Sequence, residues 1–124
     1  MIRAYGNADG SALKPGTILP QCTAMLSPTG SHSLVMQADG NLVLYNNTSG
    51  QAIWSSGTNG KGSPPFFANY QPDYNFVVYD GTGKPLWASG TNGQPSDRLV
   101  MQDDGNLVTY LGTTPIWSTG TYGK

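Results

Sequence analysis

The stretch Gln37-Ala38-Asp39-Gly40-Asn41-Leu42-Val43-Leu44-Tyr45 returns twice along the chain. It recurs as Gln71-Pro72-Asp73-Tyr74-Asn75-Phe76-Val77-Val78-Tyr79 and as Gln102-Asp103-Asp104-Gly105-Asn106-Leu107-Val108-Thr109-Tyr110. All three copies read Gln-x-Asp-x-Asn-x-Val-x-Tyr. The fixed residues stand two apart, the spacing at which a β-strand sends side chains to one face. Four of the five are polar, and strands disfavour Asp and Asn, so this set belongs on the outer face. Between them Leu42 and Leu44, Phe76 and Val78, and Leu107 and Thr109 point the other way and supply a core. Asp39-Gly40 and Asp104-Gly105, flanked by alternating apolar residues, predict a tight hairpin turn. Leu34 to Gln37 is then the incoming arm and Asn41 to Asn46 the outgoing one. Leu34 and Met36 join Leu42 and Leu44 inside, while Gln37 joins Asn41, Val43 and Tyr45 outside. In the second copy Tyr74 replaces the glycine and Pro72 precedes the aspartate, which predicts a turn that differs in detail.

A second segment follows each motif: Ile53-Trp54-Ser55-Ser56-Gly57-Thr58, Leu86-Trp87-Ala88-Ser89-Gly90-Thr91 and Ile116-Trp117-Ser118-Thr119-Gly120-Thr121. From Gln37 to Gln71 is 34 residues and from Gln71 to Gln102 is 31. A repeat of this size is one supersecondary unit that cannot bury its apolar face alone. Each unit offers four short strands: one before the hairpin, its two arms, and the tryptophan strand. Three units give about twelve strands, which suits closure around a pseudo-threefold axis. A large aromatic at the same place in every unit contributes most where units touch, so Trp54, Trp87 and Trp117 are expected to meet there. Upstream, Thr17-Ile18-Leu19 and Thr23-Ala24-Met25-Leu26 read as short strands, with Pro20 suiting an edge or a turn. Residues 1–16 read as an irregular lead-in.

The three motifs, each followed by its tryptophan, resemble those of the bulb-type, or monocot mannose-binding, lectins over nearly the whole chain. The resemblance implies one all-β domain over 1–124, a β-prism II with three four-stranded antiparallel sheets around a pseudo-threefold axis and tryptophans filling its centre. It also implies calcium-independent binding of terminal α-D-mannose and mannose-rich glycans or glycoproteins at up to three sites, with no cofactor and no metal. Carried over position by position, site one is Gln37, Asp39, Asn41, Val43 and Tyr45. Site two is Gln71, Asp73, Asn75, Val77 and Tyr79, and site three is Gln102, Asp104, Asn106, Val108 and Tyr110. In such a site Asp and Asn hold the axial 2-hydroxyl of mannose, Gln the 3-hydroxyl and Tyr the 4-hydroxyl. The donor and acceptor inventory of these side chains suits that task, and valine offers an apolar patch to the sugar's C–H face. Glucose, lacking the axial group, would leave polar atoms unpaired. The family commonly dimerises by exchanging a C-terminal strand, for which Pro115 to Thr121 is the candidate segment.

Composition narrows the alternatives. A chain of 124 residues can bury roughly 65 to 70% of its unfolded surface, enough for a core without disulfides. Seventeen glycines, nine prolines and no glutamate describe a turn-rich β protein, and no long segment shows helical periodicity. A net charge of -1 with 10% charged residues argues against nucleic acid, which needs a basic surface, and against anionic membrane. No stretch approaches a membrane span. Cys22 is the only cysteine, so the intrachain bridge found in many plant members of the resembled family is absent. No apolar leader core follows Met1, and the expectation is a cytoplasmic or non-classically exported protein. The overlapping sequons in Asn46-Asn47-Thr48-Ser49 then read as a polar loop.

Three rival functions can be weighed. A glycosidase needs two carboxylates facing each other across a sugar, yet each motif carries one fixed acid. The lone His32, in a loop after Gly30-Ser31, has no repeating nucleophile beside it, so the chain is expected not to be an enzyme. A calcium-dependent lectin would use paired acids such as Asp103-Asp104, which the other copies lack. The remaining alternative is a non-catalytic protein-interaction or structural module with degenerate sugar sites, in which Asp and Asn merely cap turns.

Overall fold

The computed structural model of the chain describes residues 11–124 and the backbone of Arg3–Ala4. The first sheet holds β4 (Thr23–Leu26), β5 (His32–Met36), β6 (Leu42–Asn46) and β7 (Gln51–Ser55) as an antiparallel meander. The two-residue β1 (Arg3–Ala4) adds to it in parallel alongside β4. The second sheet runs β10 (Pro85–Ala88), β9 (Phe76–Tyr79), β8 (Phe67–Tyr70) and β3 (Thr17–Pro20). The third runs β13 (Thr114–Ser118), β12 (Leu107–Leu111), β11 (Arg98–Met101) and β2 (Ala12–Leu13). Every neighbouring pair in these four-stranded sheets is antiparallel.

Only the first unit takes its four strands from consecutive sequence. In the second and third units the fourth strand is β3 or β2, both from the segment ahead of the first motif. Residues 11–20 therefore tie the last two sheets to the start of the chain. The lead-in read as irregular contains β1 and β2; residues 1, 2 and 5–10 of it lie outside the described residues. Pro20 ends β3 at a sheet edge, where its missing N–H leaves no gap in a ladder.

The motif hairpins form where the Asp-Gly pairs place them. β5 pairs β6 with Met36 opposite Leu42 and Leu34 opposite Leu44. These four side chains are fully buried. Gly40 and Gly105 both have φ +91°, and each N–H bonds back to the motif glutamine carbonyl at 3.2 Å. This is the left-handed residue that closes a three-residue hairpin loop. The second loop was expected to differ, yet Tyr74 takes φ +77° and makes the same bond to Gln71 at 2.9 Å. The hairpin geometry is thus kept, at a backbone cost of ~1 kcal/mol or more for a side chain in that region.

Each tryptophan strand carries a β-bulge at one position, where Ile53, Leu86 or Ile116 is skipped by the pairing register. In a regular strand Ile53 and Trp54 would face opposite sides. The extra residue lets both pack on the core. The three tryptophans meet as expected: Trp87 lies 5.2 Å from Trp54 and 5.9 Å from Trp117 between ring centroids. All three stay half-buried, packed against an apolar cluster that draws on the three sheets.

Several side chains have tasks that the repeat does not announce. His32, expected in a loop, is the first residue of β5 and is buried. Its Nε2 donates to the Lys124 carbonyl at 3.0 Å, so Nδ1 accepts from the Ser31 hydroxyl at 2.8 Å. Asp103, the acid without a counterpart, accepts from the Thr29 N–H and hydroxyl at 3.0 and 2.7 Å, latching the third unit to the first. Asn46 and Asn47 donate their amide nitrogens to the carbonyls of Lys124 and Gly30.

Thr109 sits where the other units have Leu44 and Val78, and its buried Oγ1 finds no partner among the described residues. An unpaired buried hydroxyl costs ~1 to 3 kcal/mol, and valine has nearly its shape. Thr109→Val should therefore raise unfolding free energy by about 1 kcal/mol in a urea titration; an unchanged or lower midpoint would show that the hydroxyl is satisfied.

Asp80, buried after β9, accepts from the Thr82 hydroxyl at 2.6 Å and from the N–H groups of Thr82, Lys84 and Ser63. The Thr82 hydroxyl first, then these amides, push its carboxyl down to about 2. A depressed folded-state value means the stabilisation is complete above the ordinary 3.8 and is lost as pH falls through about 2. Between pH 4 and 2 the urea midpoint should fall more steeply in the native chain than in Asp80→Asn. Parallel slopes would remove Asp80 from the acid response.

Candidate functional site

Each motif places its fixed residues over one hairpin, and the same local bonds hold them. Asp39 Oδ1 accepts the Asn41 N–H at 2.9 Å, Asp73 Oδ1 that of Asn75 at 3.0 Å, and Asp104 Oδ1 that of Asn106 at 2.9 Å. These are Asx turns. The asparagine side chain then reaches across to the turn after the tryptophan strand. Asn41 Oδ1 accepts from the Ser56 hydroxyl and from the N–H groups of Gly57 and Thr58 at 3.0 to 3.2 Å. Asn75 does the same with Ser89, Gly90 and Thr91, and Asn106 with Thr119 and Thr121. The returning bond comes from the threonine: Thr58 Oγ1 donates to Gly40 O, Thr91 to Tyr74 O and Thr121 to Gly105 O. Ser56, Thr58 and their equivalents are thus part of each site's scaffold. Their recurrence after every tryptophan was the signal that could have found them.

The structure brings all five fixed residues of each motif together, with differences of detail. Gln37 donates to the Tyr45 hydroxyl. In the second motif the Tyr79 hydroxyl donates to Gln71 Oε1, which leaves Gln71 Nε2 to donate to Asp73 Oδ1 at 3.0 Å. Gln102 satisfies both neighbours in that second arrangement, accepting from Tyr110 and donating to Asp104 Oδ1 and Oδ2 at 3.1 and 3.2 Å. The Gln71 amide and the Asn75 N–H hold the Asp73 carboxyl below the usual carboxylate range, so it stays ionised. Val43, Val77 and Val108 are only 2–3% exposed. They form a floor beneath the polar groups, so the open apolar patch expected of them is not there.

After these bonds, a fixed residue remains available for a ligand in every motif. Asp39 Oδ2 and Asp73 Oδ2 have no partner among the described residues, nor do the Nδ2 groups of Asn41, Asn75 and Asn106. A carboxylate oxygen, an amide donor and a phenol thus lie close together on an exposed hairpin. Beside the first motif opens a cleft of about 570 Å³, lined by its Gln37, Asp39 and Tyr45 together with Cys22, Ser33, Val35 and Ala38. Asp103 is turned to Thr29 and does not converge with Asp104. Among the described residues no three of His, Cys, Asp or Glu are grouped to hold a metal ion.

No family model matches the chain. It is 41% identical over 94 residues to a mannose-specific lectin of Aloe arborescens, an alignment covering 74% of this chain and 82% of that protein. Its structure is similar to that of a monomeric monocot mannose-binding lectin from Gastrodia elata, at 38% identity and a TM-score of 0.79, covering 90% of this chain and 98% of that one. It is also similar to the mannose-specific agglutinin of snowdrop, Galanthus nivalis, in complex with methyl-α-D-mannoside, at 38% identity and a TM-score of 0.73, covering 90% and 97%. With three sheets built on one repeated hairpin and relatives that match in sequence and in structure, the chain belongs to the bulb-type, or monocot mannose-binding, lectin family.

Proposed function

We propose that the chain is a non-catalytic lectin that binds terminal α-D-mannose, without calcium, at three sites formed by the Gln-Asp-Asn-Val-Tyr sets. The observation that carries this reading is the recurrence of uncommitted groups among the described residues: the Asn amide is unpartnered in all three motifs, and the second aspartate oxygen in the first two. A turn device alone would leave no reason for a Gln–Tyr hydrogen bond to recur beside it in every motif. An axial hydroxyl can donate to the carboxylate and accept from the asparagine amide at once. One fixed carboxylate per motif, with Asp103 of the third turned away to Thr29, supplies no acid and base pair, which supports binding over hydrolysis. Relatives described as mannose-specific or solved with a mannoside support the choice of sugar.

Such bonds replace bonds to water, at a net ~0.5 to 1.5 kcal/mol each, so single sites bind weakly. Three on one rigid body raise avidity for branched mannose-rich glycans and glycoproteins by ~10² to 10⁴. The reading includes a homodimer formed by exchange of residues 115–121. It is supported by the position of β13 at the edge of its sheet, with Thr114 and Pro115 exposed. Sedimentation at a single-chain mass across micromolar concentrations would remove that part. Calorimetry with methyl α-D-mannoside and methyl α-D-glucoside tests the whole: the mannoside should bind, unaffected by chelator, and the glucoside should not. No mannoside heat at millimolar sugar would overturn the proposal.

A further inference from the structure

The first and third motif turns rest on different supports. A Cβ built on Gly40 would meet the Phe66 ring at 3.0 Å, whereas one on Gly105 would meet His32 Nε2 and the Lys124 carbonyl, each at 3.1 Å. Phe66 follows the tryptophan strand of its own unit, but His32 reaches the third turn from β5 of the first sheet. Its imidazole is buried there, and Nε2 donates to the Lys124 carbonyl at 3.0 Å. Lys124 closes the turn that grips the third hairpin. Within that turn the Gly123 N–H donates to the Asp104 carbonyl at 2.7 Å and the Thr121 hydroxyl to that of Gly105 at 2.6 Å. On the other side of Asp104, Thr29 of the first unit holds the Asp103 carboxylate through its N–H and hydroxyl. The residues before and after Asp104 thus both rest on the first unit. The first hairpin has the same grip, with the Gly60 N–H on the Asp39 carbonyl at 2.9 Å, but a phenyl ring stands in place of the imidazole.

We propose that the first unit braces the third sugar site, with His32 and Thr29 as positioning residues that touch no sugar themselves. The inference rests on the mannose reading and adds to it the residues on which the geometry of one site depends. A phenyl ring can fill the space beneath a glycine, but it cannot hold a carbonyl. Without the Nε2 donor, Lys124 O loses a bond and the 121–124 turn is loosened. The Asp104 peptide then loses part of the hold that Gly123 has on it. Its carboxylate meets a sugar hydroxyl from a less defined direction, and a hydrogen bond weakens steeply with misalignment. Asn46 Nδ2, 3.1 Å from the same Lys124 carbonyl, keeps the turn from leaving altogether, so the expected effect is partial.

In the test, site three is titrated alone in the Asp39→Asn/Asp73→Asn chain and site one alone in the Asp73→Asn/Asp104→Asn chain. Added to each, His32→Phe should weaken methyl α-D-mannoside binding roughly three- to tenfold at site three and leave site one unchanged. His32→Gln, whose amide can donate to Lys124 O, should recover most of the loss. Amide hydrogen exchange reads the brace without sugar. In His32→Phe the Gly123 N–H should exchange about tenfold faster, while the Gly60 N–H, which makes the equivalent bond in the first hairpin, should keep its native rate. Should His32→Phe fail to fold, Asp103→Ala, which cuts the Thr29 contact at an exposed position, should give the same one-sided pattern. Equal changes at both sites and both amides, or none at either, overturn the brace and leave the mannose reading intact. If no chain binds the mannoside, the mannose reading falls, and the two exchange rates still decide the brace.

Discussion

Trp87→Ala is expected to lower unfolding free energy by about 3 kcal/mol, the low end of the range for truncating a large core aromatic, because its ring is half in water. The size follows from its place. Trp87 touches Trp54 at 5.2 Å and 73°, Trp117 at 5.9 Å and 59°, and Phe76 at 6.2 Å and 87°. It is the ring that joins the tryptophan strands of all three sheets. Edge-on aromatic pairs contribute ~0.5 to 1.5 kcal/mol each beyond the area they bury, and Trp87 loses three where Trp54→Ala or Trp117→Ala loses one of those contacts. Each of the latter should cost at least ~1 kcal/mol less. Since domains of this kind have only ~5 to 15 kcal/mol to lose, Trp87→Ala should shift the urea midpoint by a large fraction, followed by far-UV circular dichroism. Equal losses for the three variants would mean that no one ring is the joint between sheets.

Much of this architecture was legible because it is written three times. Alternation placed Leu34, Met36, Leu42 and Leu44 inside, and Asp-Gly placed the loops; both hold. What escaped had no periodic mark. β2 is two residues long, and its partner in the third sheet lies some ninety residues away, a pairing that local pattern cannot encode. The bulge at Ile53, Leu86 and Ile116 was hidden because an apolar pair in sequence looks the same whether or not the strand slips by one. Tyr74 was expected to change its loop, yet the surrounding ladder holds it in the glycine's conformation. At the sites, the sequence named the five residues but not their division of labour. The commitment of Asn Oδ1 to the turn after each tryptophan is a tertiary contact, 15 to 17 residues away along the chain. Val43 was assigned to the outer face, but its near-complete burial there could not be foreseen.

The division of labour determines which substitution can separate binding from folding. Asn41→Ala removes the acceptor that holds Ser56, Gly57 and Thr58, so it would weaken the hairpin and any sugar contact together. Asp→Asn is cleaner. The asparagine oxygen can still accept the N–H that closes each Asx turn, while the carboxylate oxygen left facing solvent becomes an amide donor. A sugar hydroxyl that donated to it then meets a donor, and the charge that strengthened the bond is gone. Hydrogen bonds to charged groups contribute ~1.5 to 3 kcal/mol, so mannoside affinity should fall roughly ten- to hundredfold at each substituted site. Asp39→Asn/Asp73→Asn/Asp104→Asn should lose binding to a mannose-rich glycan surface altogether, since avidity multiplies the three deficits. The melting temperature should remain within a few degrees of the native chain, because the turn bonds at 2.9 to 3.0 Å are kept. A triple variant that melts like the native chain and still binds mannosides equally well would show that these aspartates serve the hairpins and nothing else.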